Sequence, residues 1–335
     1  MSVLFYDIHK ELNYKICDKV QECGSFWELL YADDTLLIGN RARELNMLLH
    51  ALEKECAKYN MRLNKAKCLY IGMGGAADIH FQDGTKIQRV DKAGYLGGVI
   101  AEDANRNNEI NARLGKAMST CHKLKIFWRK TNAPKTWKLQ VFNAIIISQL
   151  TYGLNSLSLT PGCINRLNAF HIKGLRQIMG IPHAYYSGVS NEQVLKRVNL
   201  ALNKADTLDL TWEQFHTDAQ QRKKKFKTTT LVGQLVQDRQ VNMLGHVLRR
   251  DMDHLLRKVT CDEELQRPHK GFKRVGRPKH NWVEDNLARA HLHIGEVTMG
   301  PDGPIYTGNP QVTTYDPDNP VHVQNLKEAA NNRRF

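Results

Sequence analysis

Apolar residues recur every four positions at Leu4, Ile8, Leu12 and Ile16, a spacing that predicts an amphipathic helix at the start of the chain. No N-cap or leader precedes it, so the sequence is expected to be a piece of something longer. After a polar break at 22–25 the pattern changes. Two apolar runs, Phe26 to Tyr31 and Thr35 to Ile38, flank Ala32-Asp33-Asp34, which predicts a β-hairpin with the acids at its turn. Leu45, Leu48, Leu49, Leu52 and Cys56 then return to the helical period, within a helix spanning 41–60. A strand is predicted over 68–72, closed by Gly74-Gly75. A glycine-punctuated β segment follows and ends at Tyr95-Leu96-Gly97-Gly98-Val99-Ile100.

From 107 to 202 the pattern is helical. Pro134 and Pro161-Gly162 mark breaks in it, and Leu139, Phe142, Ile146 and Leu150 form an apolar stripe. A basic run at 222–227 precedes another helical stretch at 231–259. Pro, Gly, Asn and Asp dominate from Gly300 onward, which predicts a disordered tail. These elements give an α+β chain, with a small antiparallel region followed by a mainly helical one.

Charge sharpens this picture. The chain of 335 residues carries a net charge of +14, unevenly spread. Residues 1–100 hold 13 Lys/Arg against 13 Asp/Glu, residues 101–200 hold 14 against 4, and residues 201–300 hold 18 against 13. A neutral start followed by a basic middle points to a polyanion held by the middle of the chain. The seven cysteines include no C-x-x-C pair and no disulfide-framework spacing, which predicts reduced thiols in an intracellular protein. The longest apolar patch, from Ala144 to Leu150, is too short to span a bilayer, and no membrane partner is expected.

Adjacent carboxylates at a tight turn repel each other unless a cation lies between them. Asp33 and Asp34 therefore suit Mg²⁺, a hard ion that takes oxygen ligands and accepts phosphates as co-ligands. Taken alone, such a pair is more often a solvated turn. Its surroundings change the reading. Leu-Leu-Tyr-Ala-Asp-Asp-Thr-Leu-Leu-Ile at 29–38 resembles the Y-A-D-D palm motif of reverse transcriptases. The resemblance continues in order through helix 41–60, Leu63-Asn64 with Lys67, Tyr95-Leu96-Gly97, Tyr152-Gly153, the Gly174–Ile181 segment, and Gly276-Arg277-Pro278 with Trp282. This series, over about residues 1–285, is similar to the palm, thumb and C-terminal region of LINE-type (non-LTR) retrotransposon polymerases.

The resemblance implies a partial palm at 1–100, a basic helical thumb at 101–202, a basic helical region at 203–299 and a tail at 300–335. It implies an RNA-directed DNA polymerase working by two-metal nucleotidyl transfer, with Mg²⁺ or in its place Mn²⁺, on an RNA template, a DNA primer and deoxynucleoside triphosphates. Asp33 and Asp34 would ligate metal. Lys67 would protonate the leaving pyrophosphate, although on sequence alone it is equally a surface lysine. Tyr31 and Ala32 would lie against the primer end, and Tyr95, Leu96 and Gly97 would grip the primer. Family members carry a further catalytic Asp upstream and fingers that clamp the nucleotide; neither is present, so the chain alone is expected to be inactive or nearly so, lacking an N-terminal polymerase segment. Asp7 does not substitute, because it falls inside the apolar periodicity of the opening helix. An active element would be nuclear.

The basic middle stands without the resemblance. Lys116, Lys123, Lys125, Arg129, Lys130, Lys135 and Lys138 fall on predicted helices or their junction, where they can contact phosphates without reading sequence. Trp128 and Trp137 lie among them and are expected in the helix core. The rival reading is a non-enzymatic RNA- or DNA-binding fragment, or a relic without function.

Overall fold

The computed structural model describes residues 2–12, 28–72, 77–205, 211–221, 227–266, 281–295, 297–300, 303–306 and 314–335. The chain is α+β and mainly helical, and it divides into two compact units, Met1–Glu109 and Ile110–Phe335.

In the first unit, helices α1 (Ser2–Glu11) and α2 (Ala42–Lys58) pack through the periodic residues picked out above. Leu4, Phe5 and Ile8 bury against Leu48, Ala51, Leu52 and Cys56. An adjoining face of α2 covers a smaller cluster of Leu49, Ile79 and Phe81. Asp7 lies on α1 and accepts a 2.6 Å hydrogen bond from the Tyr59 hydroxyl just beyond α2, which ties the two helices together. That bond, above all, holds the Tyr59 phenol above its ordinary pKa.

The strands of this unit pair only in twos: β1 (Glu28–Tyr31) with β2 (Asp34–Leu37), β3 (Leu69–Tyr70) with β4 (Gln88–Arg89), and β5 (Lys92–Tyr95) with β6 (Gly98–Ala101). The first and third pairs are antiparallel hairpins, but β3 and β4 run parallel. A continuous antiparallel palm sheet is therefore not formed among the described residues. The Gly74-Gly75 closure lies outside them.

The second unit is built on the predicted stripe. Helices α3 (Arg106–Lys123, whose first turn belongs to the first unit) and α4 (Lys125–Lys130) lead to α5 (Lys135–Val141). That helix continues through a π-helical stretch, Phe142–Ile147, into a final α turn, Ser148–Thr151. Leu139, Phe142, Ile146 and Leu150 are all essentially inaccessible to solvent. Helix α6 (Pro161–Met179) has the punctuation its sequence advertises: Thr160 caps it by accepting from the Cys163 amide, Pro161 opens it, and Gly180 ends it at φ 71°. Gly174 of α6 lets the Phe142 ring approach so closely that an added Cβ would lie 2.4 Å from Cζ.

Helices α7 (Asn191–Leu202) and α8 (Val232–Leu248) complete this core with Val194, Val198, Val232 and Val236. A second core joins the far end of α8 to α9 (Trp282–Ile294) and α10 (Pro320–Asn331) through Leu244, Leu287, Ala290, Leu326 and Ala329. Helix α10 corrects the expectation of a disordered tail: Asn319 caps it, Pro320 opens it, and its apolar face is buried. Among the described residues no helix is long and apolar enough to cross a membrane. Cys56, Cys68, Cys121, Cys163 and Cys261 are free thiols.

Candidate nucleic-acid interface and acidic turn

The acidic motif folds as a tight hairpin. Tyr31 pairs with Asp34, leaving Ala32 and Asp33 as a two-residue turn. Ala32 adopts φ 53°, a left-handed conformation that hairpin turns require at their first central position and usually assign to Gly, Asn or Asp. An L-residue with a methyl side chain there costs about 1 kcal/mol. Tyr31, Ala32, Asp33 and Asp34 are all exposed.

A second tight hairpin stands beside it. Tyr95 pairs with Gly98, and Leu96 (φ 48°) and Gly97 (φ 76°) form the turn, both left-handed as a type I′ turn demands. The Tyr95 hydroxyl donates a 3.2 Å hydrogen bond to the Leu29 carbonyl on β1, so the segment expected to grip a primer is tied to the strand leading into the acidic turn. Glu109, 7% exposed, accepts from the Val99 amide at 2.6 Å and locks this hairpin to the first turn of α3. Lys67 sits at the end of a 3₁₀ turn, Lys65–Lys67, and is exposed. Its neighbour Lys65 is committed instead to the Asp83 carboxylate at 2.6 Å.

The donor set for a metal is incomplete. Asp33 and Asp34 offer two carboxylates, and no three His, Cys, Asp or Glu side chains among the described residues come together in a way that could hold an ion. Two carboxylates can hold Mg²⁺ only with help from substrate phosphates and water. The described residues do not by themselves close a two-metal site.

The basic positions lie in the second unit. Lys116 and Lys123 on α3, Lys125, Arg129 and Lys130 on α4, and Lys135 at the start of α5 are all exposed, and none forms an ion pair among the described residues. Lys138 departs from this group. It is 8% exposed, and its ammonium donates to the Trp128 carbonyl at 3.0 Å and the Thr131 carbonyl at 2.9 Å, so it caps the end of α4 from within. The two tryptophans also part company. Trp128 is buried and donates to the Cys121 carbonyl at 3.0 Å, as expected of core, whereas Trp137 is 54% exposed, edge-on to Phe127.

Three further exposed side chains of the second unit escape a sequence reading. Lys173 on α6 is exposed and close enough to Cys121 to lower its thiol pKa, although burial dominates and leaves that pKa raised. Tyr185 and Tyr186, 86% and 82% exposed, stand edge to face at 5.2 Å on a single helical turn, Ala184–Ser187. The loop bearing them is clamped at both ends by Arg176, which donates to the Pro182 carbonyl at 2.9 Å and the Val189 carbonyl at 2.6 Å. Their only sequence signal is an adjacent aromatic pair outside any apolar period. The basic runs at 222–226 and 273–279 lie outside the described residues.

Comparison with known proteins gives one distant relative, a Caenorhabditis elegans protein described as uncharacterized and transposon-derived. It is 26% identical over 160 residues, which are 46% of this chain and 56% of that protein. The chain thus spans little more than half the length of the relative it matches. No family model and no solved structure matches the chain. The similarity points to a transposon-related protein.

Proposed function

We propose that this chain is the palm-remnant and thumb portion of a retrotransposon reverse transcriptase. Its basic helices bind RNA or an RNA–DNA hybrid, and its acidic turn contributes to a polymerase active site that the described residues do not complete. The observation that carries this reading is the pair of strained tight hairpins joined from Tyr95 to Leu29, one presenting Asp33 and Asp34 at its tip. Strained turns persist where the surroundings over-determine them, and they cluster at working sites. The six exposed cations on α3 to α5, which form no ion pair among the described residues, support the binding half, because phosphate neutralisation supplies most sequence-independent affinity. The transposon-derived relative fits the same origin.

In this reading Asp33 and Asp34 contribute part of a Mg²⁺ site whose remaining ligands come from another segment or subunit. The metal, when bound, would activate the primer 3′-hydroxyl and neutralise the leaving pyrophosphate. Tyr31 and the Tyr95–Gly97 turn would hold the primer end, and Lys67 would stand toward the triphosphate.

The test pairs fluorescence-anisotropy binding of a primer–template hybrid with primer extension in Mg²⁺, for the purified chain and for Asp33→Asn. The expected outcome is salt-dependent binding that Asp33→Asn leaves unchanged, and no extension above background. Extension by the wild-type chain alone would show that the site is complete; absence of binding at moderate salt would remove the nucleic-acid reading.

A further inference from the structure

The second unit contains a cleft of about 450 Å³ between the end of α8, the segment that follows it, and α10. Arg249, Arg250, Arg257 and Lys327 line it, against Asp251 and Glu263, so four cations less two carboxylates leave it at +2. We propose that this cleft is an anion site that takes a phosphate group, supplied by the backbone of a bound nucleic acid.

The buried guanidinium of Arg257 carries the inference. Arg257 is 3% exposed; it donates to the Cys261 sulfur and, at 3.2 Å, to the Asp262 carbonyl. Its Nε has no hydrogen-bond partner, and among the described residues it forms no ion pair. A buried cation that donates to a thiol sulfur and a carbonyl, with no carboxylate in an ion pair among the described residues, is poorly compensated, and the low dielectric around it extends its field into the adjoining cleft. An anion seated there offsets that cost.

The remaining cations suit direct contact. Arg249 is held in place, donating to the Ala330 carbonyl at 2.9 Å and to a Phe335 oxygen at 3.4 Å and lying 3.3 Å from the His246 ring nitrogen. Arg250 is exposed and Lys327 half-buried, and neither has an ion-pair partner among the described residues. Asp251 and Glu263 disfavour a highly charged ligand such as a triphosphate, whereas the net +2 accommodates a phosphodiester with its single negative charge. The fourteen residues after Gln266 carry six Lys or Arg and no Asp or Glu, so the neighbouring sequence favours the same kind of partner.

The choice of a nucleic-acid phosphodiester rests on the proposed function; the anion site itself does not. The experiment therefore has two arms, each run on the full chain and on Arg250→Gln/Lys327→Gln, a double variant that removes solvent-facing charges and leaves Arg257 in place. In the first arm, inorganic phosphate is titrated at constant ionic strength against chloride while thermal unfolding is followed. Phosphate is expected to raise the Tm of the wild-type chain and not that of the variant. In the second arm, single-stranded RNA is bound at several salt concentrations. The variant is expected to bind three- to tenfold more weakly, with a shallower salt dependence. Phosphate stabilisation without RNA binding would keep the anion site and remove the nucleic-acid reading. RNA binding that the double variant leaves unchanged, with no phosphate effect on either protein, would overturn the cleft and spare that reading.

Discussion

His171 makes the stability of the second unit depend on pH in a way that can be worked out. It lies on α6 at 3% exposure, parallel to the Phe142 ring at 6.1 Å, and its Nδ1 accepts the Val232 amide at 3.2 Å, capping the start of α8. Burial pushes its pKa down to about 4 from an ordinary 6.5, so the folded chain keeps the ring neutral where the unfolded chain protonates it. The folded-state pKa is depressed and the charged form is the acid form. The stabilisation is therefore whole above pH 6.5 and is lost as the pH falls from there toward 4. Between pH 7 and pH 5 the linkage relation gives a loss of about 2 kcal/mol from this residue. Other groups titrate over the same range, so the quantity to measure is a difference. His171→Asn keeps an acceptor near Nδ1 and cannot titrate. Urea unfolding followed by tryptophan fluorescence is the assay, since four of the five tryptophans lie beyond residue 109. The variant is expected to be less stable at pH 7 because of lost packing, and the gap should close by about 2 kcal/mol at pH 5. Parallel stability curves for the two proteins from pH 7 to pH 5 would refute a neutral, buried His171.

Three further outcomes are expected. Gly174→Ala should destabilise the second unit by about 1–2 kcal/mol, because its Cβ must displace a Phe142 ring already packed on His171, while Gly115→Ala on α3, where nothing lies within 4 Å, should stabilise by about 0.5–1 kcal/mol; urea midpoints of the two variants compare them directly. Lys130→Gln/Lys135→Gln should weaken hybrid binding and flatten its salt dependence without changing Tm, whereas Lys138→Gln should lower Tm and leave the salt slope unchanged, as anisotropy at several salt concentrations would register. Tyr185→Ala/Tyr186→Ala should leave the fold intact and reduce single-strand affinity by about 1–3 kcal/mol for each base that stacks there; a Tm loss instead would place the pair in the structure and not in binding.

Much of this architecture was legible because its residues obey simple periods. Leu139, Phe142, Ile146 and Leu150 announce a buried stripe, and Thr160-Pro161 and Gly180 bracket α6 with residues whose backbone preferences suit those ends. The hairpin at Asp33 is readable from two apolar runs around a short polar centre. The misreadings have physical causes too. Lys138 stands four residues before Phe142, in phase with the buried stripe, so its position was visible, but its charge drew it to the surface group. Its long stem lets the ammonium reach two carbonyls from inside. The last helix was hidden by composition: Pro, Gly and Asn around 300–320 suggested disorder. Yet Asn319-Pro320 is a helix start, and Val323, Leu326, Ala329 and Ala330 follow at helical spacing. The parallel pairing of β3 and β4 has no local signal, since two-residue strands carry no period.

The acidic turn of the first unit and the exposed cations of the second stand on unequal foundations, and this bears on what each can do. The acidic turn rides on a two-stranded hairpin whose Leu29, Leu30 and Tyr31 are 37%, 37% and 64% exposed. An isolated hairpin is marginal in water. Its support includes the Tyr95 hydrogen bond and a partly buried contact at Leu37. Metal chemistry needs carboxylates held to within about half an ångström, which such a scaffold does not supply. The exposed cations on α3 to α5, by contrast, are carried by helices packed on a continuous core, with Phe142, Ile146, Leu150 and Leu167 fully buried. Phosphate binding tolerates looser geometry than metal-assisted transfer, because charge acts over several ångströms where ligation does not. The best-built part of the molecule is thus the part with the least demanding chemistry. That is why nucleic-acid binding is the activity expected of these helices, whereas metal-assisted chemistry at Asp33 and Asp34 would need the hairpin steadied and further ligands added.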